Sequence, residues 1–133
     1  MKLTSQSEYA LLALLYLARS YGDDYVNTET VATAQHIPRK FLEQIFLTLK
    51  RAHYVHSAKG QHGGYRLAKP PEAITLAEII RLIDGALAPT ESVSKYFYEA
   101  TPVEKEAKLL SVFKEIRDFV AAKLEETTLA DVR

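Results

Sequence analysis

The run Ser57-Ala58-Lys59-Gly60-Gln61-His62-Gly63-Gly64-Tyr65-Arg66-Leu67 decides the reading of this chain, because it has the make-up of a β-hairpin tip. Gly60, Gly63 and Gly64 tolerate positive φ and let the backbone approach another surface closely, while Lys59, His62 and Arg66 place charge and donors on the same tip. A short strand, Tyr54-Val55-His56, leads into it from an amphipathic helix. A helix followed by a basic, glycine-tipped hairpin is the layout of a winged helix-turn-helix, in which the helix enters a groove of a duplex and the wing touches the adjacent backbone or minor groove. The alternative is an ordinary hairpin between core elements, and the charges around it argue against that.

The preceding helix supplies the second half of the pattern. Pro38, Leu42, Ile45, Leu49 and Ala52 recur at spacings of four and three, which turns one face to a core with Pro38 as the first helical residue. Arg39, Lys40, Glu43, Gln44, Leu47, Lys50 and Arg51 then look outward or along the flanks. His53 falls at the helix end, where left-handed backbone is needed and His tolerates it better than most residues. Upstream, Asn27 or Thr28 caps a short helix with Val31, Ala34 and Ile37 inward, and Ser5-Gln6-Ser7-Glu8 reads as a capping box. The helix it opens runs toward Gly22 and is apolar nearly all round, as a buried central helix would be.

Downstream of the hairpin, Pro70-Pro71 ends the strand, and Thr75-Leu76-Ala77-Glu78 is a second capping box. The helix it opens reaches Gly85, with Ile79, Ile80, Leu82 and Ile83 expected inside. A loop from Ala86 to Ala100 follows. Thr101-Pro102-Val103-Glu104 combines a capping box with proline at the first helical position, and predicts a helix to about Glu125, roughly 35 Å long. Val103, Ala107, Leu110, Phe113, Ile116, Val120 and Leu124 form its apolar stripe, widened by Leu109, Val112 and Phe119. Such a stripe exceeds what one small domain can cover, so Val103, Leu110, Phe113, Ile116, Val120 and Leu124 are expected to pair with a second copy.

Composition sets the limits. With 133 residues and 47% hydrophobic content, the chain supports one compact domain with a helical appendage. The formal net charge is zero, yet residues 1–70 carry nine Lys/Arg against five acids, and 35–69 carry seven against one. The positive charge therefore gathers on the third helix and the hairpin, the footprint of a nucleic-acid binder. No cysteine is present, which excludes disulfides and thiolate-held metals or iron–sulfur clusters and fits a reducing cytoplasm. His36, His53, His56 and His62 lack ligand spacing, so no metal and no cofactor is expected. The apolar run Ala10 to Ala18 is too short to span a membrane, and no targeting signal is read. No nucleophile, base and orienting group stand at a recognisable spacing, so an enzyme is not expected.

Several stretches together resemble one family, the Rrf2-type winged-helix transcriptional regulators of bacteria. They are Leu3-Thr4-Ser5 with Tyr9-Ala10, Phe41-Leu42-Glu43-Gln44-Ile45-Phe46, Lys59 to Leu67, Ala73-Ile74-Thr75-Leu76-Ala77-Glu78-Ile79-Ile80, and Thr127-Thr128-Leu129-Ala130-Asp131. The resemblance implies homodimers on pseudo-palindromic operators of double-stranded DNA. Cluster-binding members place three cysteines in the loop that is here Ala86 to Ala100, so the likeness is to the cluster-free branch. By analogy, control passes to a regulatory protein or a small-molecule effector, for which Tyr96-Phe97-Tyr98 is a candidate lining, the alternative being that these aromatics pack the dimer interface.

These readings combine into a mainly α fold with a small β-hairpin wing. A winged helix-turn-helix occupies 1–85, a loop at the family's sensor position 86–100, and a dimerisation helix and tail 101–133. The expected DNA contacts are Arg39, Lys40, Glu43, Gln44, Lys50 and Arg51 on the third helix, Lys59, Gly60, Gln61, His62 and Arg66 on the wing, and Thr4, Ser5 and Tyr9 at the first helix. The expected function is a homodimeric regulator, a repressor. The rival is a module that uses the winged helix to dock a partner protein, with weak DNA binding.

Overall fold

The computed structural model describes residues 2–22 and 24–133. Its helices are α1 (Ser5–Arg19), α2 (Thr28–Gln35), α3 (Arg39–Arg51), α4 (Leu76–Asp84), α5 (Ala107–Glu126) and α6 (Leu129–Val132), and its hairpin joins β1 (Val55–Ala58) to β2 (Gly64–Leu67). The strands pair antiparallel with Val55 opposite Leu67 and Ala58 opposite Gly64. The fold is therefore mainly helical with a two-stranded wing and a long C-terminal helix, as expected.

One core unites the first four helices and the wing. Leu14 and Leu17 of α1, Val31 of α2, Leu42, Phe46 and Leu49 of α3, Val55 and Leu67 of the hairpin, and Ile79 of α4 are all buried in it. Phe46 is the largest fully buried side chain, and its ring stacks on Tyr65 of β2 at 4.3 Å. That contact ties the outward-facing helix to the wing. Val26 adds a third strand-like step, exchanging two 2.8 Å backbone hydrogen bonds with Tyr65. The tail returns to the same core: Leu129 is fully buried, its N–H donates to the Ile74 carbonyl, and Leu76 N–H donates to the Thr127 carbonyl.

Several local expectations are corrected. The cap of α1 is Thr4, which accepts from Ser7 N–H, and Ser5 is the first helical residue. The helix ends at Arg19, and Leu12 is exposed, so α1 is not buried all round. Asn27 caps α2, where Ala32 is buried and Ala34 exposed. Pro38, predicted as the first helical residue, is instead the exposed N-cap of α3, which starts one residue later at Arg39. Leu82 of α4 is exposed rather than inside. The Thr75 capping box is present as read, and His53 adopts left-handed backbone at φ 66°.

The largest difference concerns the predicted helix from Pro102. Residues Pro102–Lys105 form a separate 3-10 turn, and α5 starts only at Ala107. Thr101 makes no side-chain cap, and its hydroxyl donates to Ser92 Oγ at 2.9 Å. The 20 residues of α5 span about 30 Å. Its C-terminal half docks on α4 through a small cluster of Ala77, Ile80 and Leu87 with Leu124 against it, while the N-terminal half stays largely uncovered.

Candidate nucleic-acid interface

Burial of Leu42, Ile45, Phe46 and Leu49 fixes the rotation of α3, and everything on its far side follows. Arg39, Lys40, Glu43, Gln44, Leu47, Lys50 and Arg51 are all exposed. The wing tip extends the same chemistry, since Lys59, Gly60, Gln61 and His62 are exposed too.

Within α3 the charges are organised. Arg39 reaches Glu29 of α2 at 2.8 Å and Glu43, one turn along, at 3.1 Å. All three side chains are more than half exposed, so the pairs add well under about 1 kcal/mol each to stability and act chiefly by orienting one another. Only Oε1 of Glu43 is engaged by Arg39, which leaves Oε2 to accept from a base amino group. Lys40 lies over the Phe41 ring at 5.2 Å, and Phe41, itself exposed, stacks on Tyr9 at 6.4 Å.

The wing glycines divide in role. Gly60, at φ 102° with open space where a Cβ would stand, is the exposed turn residue. Gly64, at φ 138°, would place a Cβ 2.1 Å from the Val26 carbonyl oxygen, so it serves the close approach of the third strand rather than the tip. Arg66 is half-buried on β2 with its guanidinium over the Tyr25 ring at 4.5 Å, pointing it to wing packing more than to the tip.

Of the α1 candidates, Ser5 is exposed and Tyr9 half-buried against Phe41. Thr4 is bound to Asp84 at the end of α4, its N–H donating at 3.1 Å and its hydroxyl to the other carboxylate oxygen. Partial burial would raise the Asp84 carboxyl. The Thr4 hydroxyl and N–H, with the buried Ser7 hydroxyl nearby, outweigh that and hold it below the usual carboxylate value. Glu78 behaves alike: burial raises it, but the Thr75 N–H, the Tyr54 hydroxyl at 2.7 Å, the Thr75 hydroxyl and the Lys69 ammonium lower it further. Both carboxylates are brackets that set α4 against α1 and the wing. Sequence reading missed these long-range partners, and also Glu29, since nothing in spacing links residues ten or eighty apart. The Arg39 and Glu43 pair was missed as well, although its i, i+4 spacing carries a local signal for it.

The stripe expected to pair two copies splits in the structure. Val103, Leu110, Phe113, Val120 and Leu124 are half-buried by their own chain, whereas Ile116 is exposed together with Leu109, Val112 and Phe119. These four sit at spacings of three, four and three, one continuous seam, and Phe119 is 77% exposed. Leu3, Ile80, Val120 and Leu124 form a shallow apolar groove beside it.

A helix-turn-helix with a basic outward helix and an exposed wing defines a DNA-binding protein of the winged-helix class. The comparisons narrow this further. The profile of the Rrf2 family, described as iron-dependent transcriptional regulator, matches residues 3–133, and the chain belongs to that family. CymR of Bacillus subtilis is 31% identical over 132 residues, covering 99% of this chain and 89% of CymR. IscR of Cereibacter sphaeroides is 40% identical over 86 residues, 63% of this chain and 56% of that protein. Among solved structures, CymR, the global cysteine regulator of B. subtilis, superposes with TM-score 0.80 at 30% identity over 99% of this chain and 95% of that one. The T. potens IscR structure gives 0.77 at 26% identity, over 99% and 85%.

The family description mentions iron, and the donor set here does not suit an iron–sulfur cluster. The sequence has no cysteine, and the segment 86–100 offers side-chain oxygens, the Thr90, Ser92 and Ser94 hydroxyls, the Glu91 and Glu99 carboxylates and the Tyr96 and Tyr98 phenols, but none of the thiolates or imidazoles that hold such a cluster. Among the described residues, no three His, Cys, Asp or Glu side chains converge on a point that could hold a metal. Nor is any helix there long and apolar enough to cross a membrane.

Proposed function

We propose that the chain is a homodimeric, cluster-free transcriptional repressor that binds a pseudo-palindromic DNA operator in the cytoplasm. The observation that carries this reading is the exposure of α3 and of the wing tip, whose charged residues are basic except for Glu43, with the two elements tied by the Phe46 to Tyr65 stack. Lys40, Lys50, Arg51, Lys59 and His62 meet phosphates or the minor groove, and Glu43 and Gln44 meet base edges of the major groove. The α5 seam of Leu109, Val112, Ile116 and Phe119 pairs two copies, so two α3 helices present to two half-sites related by the dimer axis. Repression follows if the operator overlaps a promoter. The test is footprinting on a duplex selected from a random pool: two protected half-sites related by a dyad support the reading, and a single unpaired site or none contradicts it.

A further inference from the structure

A cavity of about 150 Å3 lies between α4, α5 and the segment preceding residue 98, away from the α3 and wing surface. Cavities of that size accept a benzene-sized body. Its charged lining is Arg81, Lys95 and Arg117 against Asp118 and Glu125, an excess of one positive charge. The arginines are pre-aimed: Arg81 holds Glu125 at 2.6 Å and lies over the Tyr96 ring at 4.9 Å, while Arg117 is fixed by the Val93 carbonyl at 3.0 Å and Asp118 at 2.8 Å. Lys95 is exposed and has no ion-pair partner among the described residues. Tyr96 and Phe97 are 66% and 45% exposed although they border a cavity, the condition of aromatic walls that lack what they would cover.

We propose that this cavity binds a small organic monocarboxylate with a flat apolar body. The carboxylate is taken by Lys95 and Arg81 and the body by Tyr96 and Phe97. Because Arg81 already holds Glu125, the ligand competes with the one ion pair between α4, in the winged-helix core, and α5, which carries the exposed seam. Its occupation therefore changes how α5 sits on α4. An influence on operator affinity rests on the DNA-binding reading above, whereas ligand binding itself does not.

The probe is benzoate, titrated into the full chain without DNA and followed by tyrosine fluorescence and NMR. Benzyl alcohol, with the same ring and no charge, and inorganic phosphate, with charge and no ring, are the controls. Benzoate should saturate one site while the controls do not in the same range. Lys95→Glu and Tyr96→Ala, both at exposed positions, should each weaken benzoate about tenfold, the scale of one charge-assisted contact. Glu125→Gln removes the competitor and should tighten it. Failure of benzoate to saturate, equal binding of benzyl alcohol, or variants that leave affinity unchanged would overturn the site. Operator affinity should then respond to benzoate in the wild type and not in Glu125→Gln, and an equal response in both would overturn the ion-pair lever.

Discussion

At the scale of single residues, the candidate interface is governed by how Arg39 is shared. It holds Glu29 and Glu43 on a surface that otherwise attracts phosphate, so its removal leaves two uncompensated carboxylates facing DNA. Arg39→Ala should weaken binding to every sequence while shifting unfolding free energy by under about 1 kcal/mol, because the pairs are solvated. Glu43→Ala should instead relax preference at one base position per half-site, worth about 1–3 kcal/mol of discrimination. Lys59→Ala should lower affinity uniformly and reduce the salt slope by about one unit. Anisotropy titrations against selected and shuffled duplexes separate the three. Asp84 acts on stability. Its carboxyl is depressed in the folded chain, so its contribution is complete above the unfolded value of about 4 and is lost as pH falls through the lowered folded value. Asp84→Ala should therefore lower the melting temperature at neutral pH, and the gap to wild type should close on acidification. A gap that stays constant down to pH 3, roughly a unit below the unfolded value, would show that Asp84 does not act through its charge.

Elements were legible where the signal was local and obscured where a distant partner decided. The α3 periodicity identified Leu42, Ile45 and Leu49 as buried, and the Thr75 box and the wing turn followed from short-range chemistry. Phe46 was left out of that face although it is the largest fully buried side chain, because the Tyr65 ring that covers it lies across the wing. Thr4 and Ser5 are both capable caps, and Asp84 in α4 fixes Thr4 in that role. Thr101 has a good box sequence, yet Pro102–Lys105 close into a separate 3-10 turn and the α-helix begins only at Ala107. The outward residues of α3 were readable for the same reason that its core face was, whereas the role of Gly64 was not, since Val26 approaches from before α2. Gly64→Ala should accordingly destabilise the fold by more than Gly60→Ala, whose cost is the strain of positive φ alone, on the order of 1 kcal/mol. Urea unfolding of the two variants tests this, and equal losses would contradict the third-strand role.

At the scale of the whole molecule, α5 spends its apolar residues on two faces. Leu110, Phe113, Val120 and Leu124 are half-buried by its own chain, and Leu109, Val112, Ile116 and Phe119 stay exposed as the seam proposed to pair two copies. Val112→Glu with Phe119→Glu places charge on exposed positions, so the chain should keep its helical content yet sediment as a monomer. The monomer should bind a full operator far more weakly than the dimer, because the second half-site no longer gains from the first. A wild type already monomeric at micromolar concentration would contradict the seam. Whether α3 and the wing read DNA is decided by measuring affinity for a selected operator and its shuffled counterpart across a range of salt. Affinity should fall log-linearly with salt on both, with the selected duplex bound at least about a thousandfold more tightly. Equal affinity for the two duplexes, or binding indifferent to salt, would contradict it.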